Sequence, residues 1–366
     1  MNEHELAILR QFCLDAEPAS CTPYGCGHIN RTYLVATAGG RCYILQKINH
    51  HTFRDVAGLM ENIELVTEHL RRKSPDPRSV LTLVKTADGA SYLHAQEGYW
   101  RVYDFVEDTI CLQQPESDAD FYESAVGFGT FQQLLSDFPA EKLHETIPNF
   151  HNTPDRYRAF HETLTRDPMH RAAQVQPEIE FALARQAEMA ALQNALDAGE
   201  LPLRVTHNDT KLNNVLFDAK TRKALCIIDL DTVMPGSALY DYGDSIRFGA
   251  ATAAEDEREL DKMEMSLERF RVFTRGYVRA CPGLTQKELE LLPLGAKVMT
   301  MECGVRFLTD HIDGDNYFSI HREGQNLDRA HTQFKLVADM ERKWDKMKEI
   351  VNEEVQNAKE NGSCCI

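Results

Sequence analysis

The sequence predicts an α+β fold, with a small, mostly antiparallel sheet first and a larger, mainly helical part after it. Two observations carry this prediction. Short runs of strand-type residues, separated by turns, follow one another as far as Val106. Beyond Glu107, long stretches with apolar residues at helical spacing take over. This change of structural class divides the chain into 1–105 and 106–366.

The first part is predicted to contain a helix, two strands in a hairpin, a second helix and two more strands. The hairpin turn is Ala38-Gly39-Gly40, because consecutive glycines permit the tight reversal that joins antiparallel strands. The predicted elements are helix His4–Ala16, strands Thr32–Thr37 and Cys42–Ile48, helix Asp55–Lys73, and strands Val80–Val84 and Tyr99–Val106.

The second part is predicted to be helical except for the stretch Val205–Gly236, which contains two short apolar runs between polar loops. Pro177-Glu178 is a favoured helix start, since proline is tolerated in the first helical turn. The predicted helices are Ser117–Phe138, Pro177–Glu200, Asp256–Ala280, Thr285–Ile312 and Leu327–Ala358.

Composition narrows the class of protein. The formal net charge of -17 over 366 residues argues against nucleic acid as a partner, because phosphate backbones are bound by clustered Lys and Arg. No apolar run approaches the roughly 20 residues of a membrane span, so no membrane partner is expected. The start of the chain is not the basic start of a signal peptide. The ten cysteines form no CxxC pair. Together these features predict a reduced, cytoplasmic protein.

The polar stretch His207-Asn208-Asp209-Thr210-Lys211-Leu212-Asn213-Asn214 is the strongest candidate for chemistry. Phosphoryl transfer to a hydroxyl needs a carboxylate that orients the hydroxyl and accepts its proton, and a divalent cation held by oxygen ligands. Asp209 suits the first task. Asn214, five residues on, and Asp229, after the apolar run Ile227-Ile228, suit the second. Lys211 could reach the transferring phosphate. The competing interpretation is a polar loop whose Asp and Asn only satisfy turns.

HNDTKLNN followed by IIDLD resembles the aminoglycoside phosphotransferase and choline kinase superfamily, which has the protein-kinase-like fold. The resemblance implies two lobes: a nucleotide-binding lobe over 1–105 and a catalytic and acceptor-binding lobe over 106–366. The usual pattern has Gly where this chain has Asn208. Because Asn tolerates left-handed backbone nearly as well as Gly, we expect the loop conformation to survive the change.

Within that superfamily the closer resemblance is to the N-acetylhexosamine 1-kinases. It implies transfer of the γ-phosphate of ATP, with Mg²⁺, to the anomeric hydroxyl of N-acetylglucosamine or N-acetylgalactosamine, directly and in line. The partners would then be a small sugar and ATP. The resemblance spans nearly the whole chain and rests on five stretches besides the catalytic loop: YGCGHIN from Tyr24, LRVT from Leu203, IDLDT from Ile228, GDSIRFGA from Gly243 and MECGVRFL from Met301.

Three residues near the first strand follow from the same resemblance. Gly25 and Gly27 would form the loop over the nucleotide phosphates, although two glycines before a strand are more often only a turn. His28 would contact the sugar. Further along, the linker Tyr103–Glu107, which includes Phe105, would hold the adenine through backbone groups.

Gln46 is a departure from the kinase pattern, because enzymes of this fold usually carry a cation at that point of the strand. By alternation, Ile44, Gln46 and Ile48 share one face, and Lys47 lies on the other. Whether Gln46 or Lys47 faces the phosphates is left open. The hypothesis is that Lys211 and the bound metal supply the missing positive charge.

Arg306 lies among apolar residues of a predicted helix, where a charge needs a partner. One interpretation is an ion pair with a neighbouring acid. The other, implied by the resemblance, is that Arg306 and Tyr317 line the acceptor pocket. Asp241-Tyr242-Gly243 looks like a metal-binding motif, but Asp229 directly follows an apolar run. We therefore expect Asp241 to brace the loops, and Asp231 to support the metal ligand without binding the metal.

Three alternatives remain at this point. The first is the same chemistry on another small alcohol, such as choline, homoserine or methylthioribose. The second is a catalytically silent nucleotide-binding regulator, which Gln46 keeps open. The third is a helical interaction scaffold, suggested by the long helices at the end of the chain.

Overall fold

The computed structural model describes residues 3–25 and 29–362, the last two of these as backbone only. Contacts divide the chain into two compact units. The first comprises 1–111, 141–148 and 216–235, and the second comprises 112–140, 149–215 and 236–366. Within the described residues, no helix is long and apolar enough to cross a bilayer.

The described helices and strands follow one another in the order strand-rich, then helix-rich, as predicted. The helices are α1 (Glu3–Leu9), α2 (Val56–Lys73), α3 (Asp118–Leu134), α4 (Thr153–Arg166), α5 (Gln176–Leu183), α6 (Gln186–Met189), α7 (Ala191–Asp197), α8 (Ala238–Gly249), α9 (Leu267–Ala280), α10 (Gln286–Asp313), α11 (Gln325–Arg342) and α12 (Trp344–Gly362). The strands are β1 (Pro18–Pro23), β2 (Arg31–Thr37), β3 (Cys42–Ile48), β4 (Leu83–Val84), β5 (Leu93–Ala95), β6 (Gly98–Asp104), β7 (Thr109–Cys111), β8 (Arg204–Thr206), β9 (Val215–Asp218), β10 (Ala224–Ile227) and β11 (Met234–Gly236).

The first unit is built on an antiparallel sheet in the order β1-β2-β3-β6-β4, with β5 also paired to β6. The register sets Thr32 opposite Gln46, and Gln46 opposite Arg101. One face of the sheet packs on α1 through a buried apolar cluster that includes Leu9, Leu45 and Val102. Since side chains alternate along a strand, Gln46 and Arg101 lie on the opposite face.

A second, three-stranded sheet in the order β10-β9-β7 also belongs to the first unit. In it, β7 pairs antiparallel with β9, with Thr109 opposite Asp218. The segment between β10 and β11 thus has a sheet strand directly before it and another directly after it. This short segment, residues 228–233, contains the predicted metal ligand Asp229 and is called the metal loop after that prediction.

The second unit is helical, and its helices approach closely where glycine faces backbone. A Cβ added to Gly243 of α8 would lie 2.4 Å from the carbonyl oxygen of Gly295 in α10, so this crossing admits no side chain. Helix α10 begins with a capping box between Thr285 and Glu288, and ends at Gly314, whose φ of 105° is left-handed.

The α+β prediction is confirmed, but several predicted helices were wrong in extent. The stretch predicted as one helix over Pro177–Glu200 is three short helices, and the stretch Leu327–Ala358 is divided at Lys343. In the stretch Asp256–Ala280 only the second half forms an α-helix, α9, and a short 3₁₀ turn, Leu260–Lys262, lies before it. The elements α4, α8, β1, β5 and β7 were not predicted.

Candidate active site

The catalytic loop, residues 207–211, follows β8 and leads through a single 3₁₀ turn, Leu212–Asn214, into β9. Asn208 has a φ of 65°, in the left-handed region that Gly and Asn adopt most readily. The expectation that Asn208 could replace the usual Gly is therefore confirmed for the backbone.

Asp209 is held by two residues of its own loop. The ammonium of Lys211 lies 2.8 Å from its Oδ1. The amide nitrogen of Asn214 donates to the backbone carbonyl of Asp209 at 2.8 Å and to Oδ2 at 3.1 Å. Asp209, Lys211 and Asn214 are thus brought together, as the spacing of the motif suggested.

This surrounding keeps Asp209 ionised. Burial would raise the pKa of its carboxyl, but the Lys211 ammonium, the His207 ring and the Asn214 hydrogen bond hold that pKa below its ordinary value. Asp209 in turn raises the pKa of Lys211, against the effect of burial. The loop therefore presents an anionic carboxylate beside a cationic amine.

Helix α8 fixes the backbone of this loop through Asp241. The buried carboxylate of Asp241 accepts the N–H groups of His207 at 2.9 Å and Asn208 at 2.8 Å. The side chain of Gln132 in α3 donates to the same carboxylate and to the carbonyl of Val205, each at 2.8 Å. The bracing role expected of Asp241 is confirmed.

Residues in the next turn of α8 also hydrogen-bond to Thr210. Asp244 accepts the N–H of Thr210 at 3.2 Å, and the Ser245 hydroxyl donates to the Thr210 carbonyl at 2.9 Å. Arg247 orients Asp244 at 2.9 Å and reaches Glu255 at 2.7 Å. The GDSIRFGA stretch is thus a helix whose polar residues hold the catalytic loop.

His151 joins the catalytic loop to α10, and sequence reasoning missed it. Its Nε2 lies 3.2 Å from the carbonyl of Asn208, and its Nδ1 lies 2.8 Å from Oε1 of Glu302. Thr153 donates to the other oxygen of Glu302 at 2.7 Å. Burial would raise the pKa of Glu302, but His151, Arg306 and Arg156 hold it below its ordinary value. The sequence signal was Glu302, one of the two charged residues in the otherwise apolar MECGVRFL stretch.

Arg306 lies one helical turn beyond Glu302 and faces aromatic rings. Its guanidinium carbon is 5.4 Å from the ring centre of Phe150, 5.7 Å from that of Tyr317 and 5.5 Å from that of Phe318. Its Nη2 donates to the Tyr317 hydroxyl at 3.4 Å. These four residues are called the Arg306 cluster. The structure brings Arg306 and Tyr317 together, while Glu302, one turn away on the same helix, is engaged by His151 and Thr153.

A buried carboxylate shapes the loop that carries Tyr317 and Phe318. Asp310 accepts the N–H groups of Asn316, Tyr317 and Phe318 at 2.9, 2.8 and 2.9 Å, and the side chain of Asn326 at 2.9 Å. Tyr317 itself remains 64% exposed. Its ring is therefore presented to solvent from a fixed backbone.

The metal loop is held in the first unit with Asp229 in a left-handed conformation, φ 58° and ψ 57°. A 3₁₀ turn, Leu230–Thr232, follows it. Asn62 of α2 donates to the carbonyl of Val233 at 3.0 Å. Asp231 is buried in an ion pair with Arg101, 2.6 Å from Nη1, and accepts from Asn30 at 2.5 Å. Asp231 thus supports the loop from behind.

Gln46 is bonded to a cation from the neighbouring strand. Its Oε1 accepts from Nε and Nη2 of Arg101 at 2.9 and 2.8 Å, and its Nε2 donates to Thr32 at 3.1 Å. Lys47 lies on the other face, with its ammonium 5.4 Å from the Trp100 ring centre. The positive charge missing from β3 is therefore present on β6, and sequence reasoning did not foresee this.

The linker after β6 has part of its backbone already paired. The N–H of Asp104 donates to Thr82 and that of Phe105 to Cys42, at 2.9 and 3.2 Å. Tyr103 is a buried residue of β6, and the Phe105 ring meets Tyr24 at 6.1 Å between centres. Gly25 has a left-handed φ of 76°. Gly27 and His28 lie outside the described residues.

The two predicted metal ligands offer oxygen atoms of the kind Mg²⁺ prefers. Because the Asn214 amide nitrogen is spent on Asp209, its amide oxygen is the atom left to bind a cation. Asp229 supplies a carboxylate. In the described part of the chain, no group of three or more His, Cys, Asp or Glu side chains could hold a metal ion. Each of the two predicted ligands, taken by itself, offers an oxygen donor that suits a divalent cation.

This catalytic loop, carried by this α+β fold, defines a phosphotransferase of the kinase-like fold. The model of the phosphotransferase enzyme family (APH) matches residues 20–272, and the chain belongs to that family.

Solved structures with similar folds are also phosphotransferases. An aminoglycoside phosphotransferase from Alicyclobacillus acidocaldarius subsp. acidocaldarius DSM 446 is 12% identical, with a TM-score of 0.60 and 96% of each chain covered. A microcompartment-associated aminopropanol kinase is 17% identical (TM-score 0.58; 94% of this chain, 98% of that one). Amicoumacin kinase hAmiN in complex with AMP-PNP, Ca²⁺ and Ami is 14% identical (TM-score 0.55; 92% of this chain, 93% of that one). At these identities the likeness shows the fold alone.

Proposed function

We propose that this phosphotransferase is an ATP-dependent kinase that phosphorylates the anomeric 1-hydroxyl of N-acetylglucosamine or N-acetylgalactosamine. The observation that carries the kinase assignment is the ionised Asp209 carboxylate, held 2.8 Å from Lys211 and bonded to Asn214 in one loop. The resemblance of the whole chain to the N-acetylhexosamine 1-kinases supports the choice of acceptor.

In the proposed reaction Asp209 orients the 1-hydroxyl and accepts its proton as the oxygen attacks the γ-phosphorus. The new O–P bond forms in line as the bond to the β-phosphate oxygen breaks, and ADP leaves with that electron pair. No phospho-enzyme is formed. Lys211 stabilises the negative charge of the transferring phosphoryl group. Asn214 and Asp229 would hold Mg²⁺, which neutralises phosphate charge when bound.

The nucleotide is assigned to the lobe 1–105 and the acceptor to 106–366. Gly25 and Gly27 would cover the phosphates, and Gln46 would face them from β3. Adenine is proposed to contact the linker that includes Tyr103 and Phe105. The N–H groups of Asp104 and Phe105 already donate to other carbonyls. The adenine contacts are therefore assigned to backbone groups that come after the Phe105 N–H. His28, Arg306 and Tyr317 would contact the sugar.

The Arg306 cluster supports an acceptor without positive charge. Aromatic cages bind quaternary ammonium groups through the negative faces of their rings. Here the rings of Phe150, Tyr317 and Phe318 already surround the chain's own guanidinium, at 5.4 to 5.7 Å. A second cation would be repelled from this position. The arrangement disfavours choline and suits a polyhydroxylated ring, whose hydroxyl and carbonyl oxygens can accept from Arg306.

The remaining alternatives are separated by one assay. ATP consumption is measured over N-acetylglucosamine, N-acetylgalactosamine, methylthioribose, homoserine and choline, and phosphorus NMR of the product locates the phosphate. We expect turnover with an N-acetylhexosamine and a 1-phosphate product. Turnover confined to another alcohol would overturn the acceptor assignment. Nucleotide binding with no turnover on any acceptor would favour the silent regulator. Absence of nucleotide binding in a thermal-shift assay would favour the interaction scaffold.

Asp209→Asn tests the proposed base with little change of shape. We expect kcat to fall by about 10²–10⁴-fold, the usual contribution of general base catalysis. ATP binding, measured by calorimetry, should stay within about threefold, or roughly 0.6 kcal/mol, of the wild-type value. Near-normal turnover in this variant would sink the assignment.

A further inference from the structure

In the sheet of the first unit, the cation that the kinase pattern expects on β3 is found on β6. Gln46 stands on β3, and Arg101 stands opposite it on β6 in the antiparallel register. The two side chains are joined by hydrogen bonds of 2.9 and 2.8 Å to Oε1 of Gln46. Gln46 thus fixes the plane of the guanidinium and leaves its Nη1 for another partner.

That partner is Asp231 of the metal loop. Nη1 of Arg101 lies 2.6 Å from Oδ1 of Asp231, and both side chains are almost fully buried, at 1% and 4% exposure. Met60 of α2 lies beside the same nitrogen, with its sulfur at 3.9 Å. The pair is therefore enclosed between the sheet, the helix and the metal loop.

The second oxygen of Asp231 is also tied to the sheet. It accepts from Nδ2 of Asn30 at 2.5 Å, and Oδ1 of Asn30 accepts the N–H of Asn49 at 2.9 Å. One residue of the metal loop is thus anchored at both carboxylate oxygens, two positions after Asp229. Asn62 anchors the end of the loop at Val233.

A buried ion pair of this kind needs a reason beyond stability. Removing two charges from water costs about as much as their attraction returns, and apolar residues of similar size often do as well. What the pair does supply is a fixed position for the segment of backbone that carries Asp231. Here that chain includes Asp229, whose left-handed backbone is sparsely populated by residues other than Gly.

We propose that Arg101 is a positioning residue that sets the Asp229 carboxylate for metal binding by holding Asp231, in place of a β3 cation acting on the nucleotide. The inference rests on the proposed function, because it takes Asp229 as a metal ligand. Lys211 keeps the place at the transferring phosphoryl group that the proposed function gives it.

The test measures metal binding in the presence of nucleotide, without turnover. ADP affinity is determined by calorimetry with and without Mg²⁺ for the wild type and Arg101→Met, and the ratio of the two affinities reports the metal. Mn²⁺ binding to the ADP complex is followed by electron paramagnetic resonance. Stability is measured by urea unfolding in the same samples.

We expect the ratio to fall by about 10–100-fold in Arg101→Met, as is usual when a group that orients a metal ligand is removed. ADP binding without Mg²⁺ should stay within about threefold, or roughly 0.6 kcal/mol. Arg101→Lys should recover part of the ratio. Asn30→Ala removes the other anchor of Asp231 and should lower the ratio less. It also serves if Arg101→Met does not fold.

Lys297→Met is the matched control. Lys297 is a buried cation in the second unit, paired with Glu188 at 2.7 Å and Glu341 at 3.0 Å. This variant should lose stability and keep the wild-type ratio. An unchanged ratio in folded Arg101→Met, or in folded Asn30→Ala when Arg101→Met does not fold, would overturn the inference. So would an equal fall in Lys297→Met. If ADP binding by the wild type is indifferent to Mg²⁺, the proposed function fails as well.

Discussion

The imidazole of His151 bridges the carboxylate of Glu302 and the backbone carbonyl of Asn208, at 2.8 and 3.2 Å. Asn208 directly precedes Asp209, so a charge on α10 is connected to the catalytic loop through one side chain. A residue distant in sequence thus takes part in positioning the proposed base.

Glu302→Gln should weaken this connection while keeping the shape of the side chain. We expect stability to fall by about 1–3 kcal/mol, because charge-assisted hydrogen bonds from His151 and Thr153 are replaced by neutral ones. We also expect kcat to fall, since Asn208 is less firmly held. Urea unfolding and steady-state kinetics measure the two effects. Glu354→Gln, which removes a buried carboxylate on α12, should lower stability and leave kcat unchanged. Equal kinetic effects in both variants would contradict the proposed connection.

Lys211→Ala should reduce kcat far more than ATP affinity. The ammonium is 2.8 Å from the Asp209 carboxylate and is proposed to stabilise the transferring phosphoryl group. Losing one such group costs about 10²–10³-fold in kcat. Lys211→Arg, which keeps the charge, should retain more of the rate. Kinetics combined with ATP calorimetry separate the two parameters, and unchanged turnover in Lys211→Ala would rule the role out.

Asn208→Gly and Asn208→Ala form a matched pair at the left-handed position of the catalytic loop. Glycine adopts the observed φ of 65° without strain, whereas alanine is penalised by about 1–2 kcal/mol there. Asn208→Gly should therefore be close to the wild type in unfolding free energy and activity, and Asn208→Ala should lose both. If the two variants behave alike, the side chain of Asn208 matters more than its backbone conformation.

The hydrogen bonds around Glu354 predict that the free energy of unfolding falls in acid. Its carboxylate, 1% exposed, accepts from Arg275 at 3.0 and 3.1 Å and from Arg271 at 3.2 Å. Burial would raise the pKa of Glu354, but these hydrogen bonds hold it below its ordinary value of 4.5. A carboxyl with a lowered folded pKa contributes stability that is complete above its unfolded pKa and is lost as pH falls through the folded pKa.

The Glu354→Gln variant should lack this titration. We expect it to be less stable than the wild type at pH 7 by roughly 1 kcal/mol, because the arginines are partly exposed and solvent screens the pair. Below the ordinary pKa of 4.5 the two proteins should converge. Urea unfolding at several pH values measures the difference. A constant gap across that range would show that Glu354 does not titrate as described.

The change from a strand-rich to a helix-rich chain was predictable because strand alternation, glycine turns and helical periodicity are local signals. The positions at which the helices end were not encoded by local sequence signals. No Gly or Pro divides Pro177–Glu200, yet the chain turns at Arg185, whose guanidinium pairs with Glu341 and packs on Phe181. Near residue 343, Asp339 binds both Lys343 and the N–H of Met265. Contacts between distant segments decided these boundaries, and propensity is silent on them.

The residues of the candidate site also fall into two groups, those that local spacing predicted and those that only the folded chain reveals. Asp209, Lys211 and Asn214 lie within six residues of one another, so their spacing alone made a testable pattern. Arg101 and His151 act through partners more than a hundred residues away, Asp231 and Glu302. Only the register of β3 on β6 shows that Gln46 has a cation beside it. Such relations appear once the chain is folded.

Gln46 has a consequence for chemical probes of kinases. A nucleotide analogue that carries an acyl phosphate is an electrophile, and an unprotonated lysine amine beside its phosphates would accept the acyl group. On β3 this chain offers an amide, and the guanidinium beside it stays protonated and does not act as a nucleophile. Lys47 faces away, over Trp100. Lys211 is paired with Asp209, which raises its pKa, so its amine is a poor acyl acceptor, and under the proposed function we expect such analogues to label this chain weakly.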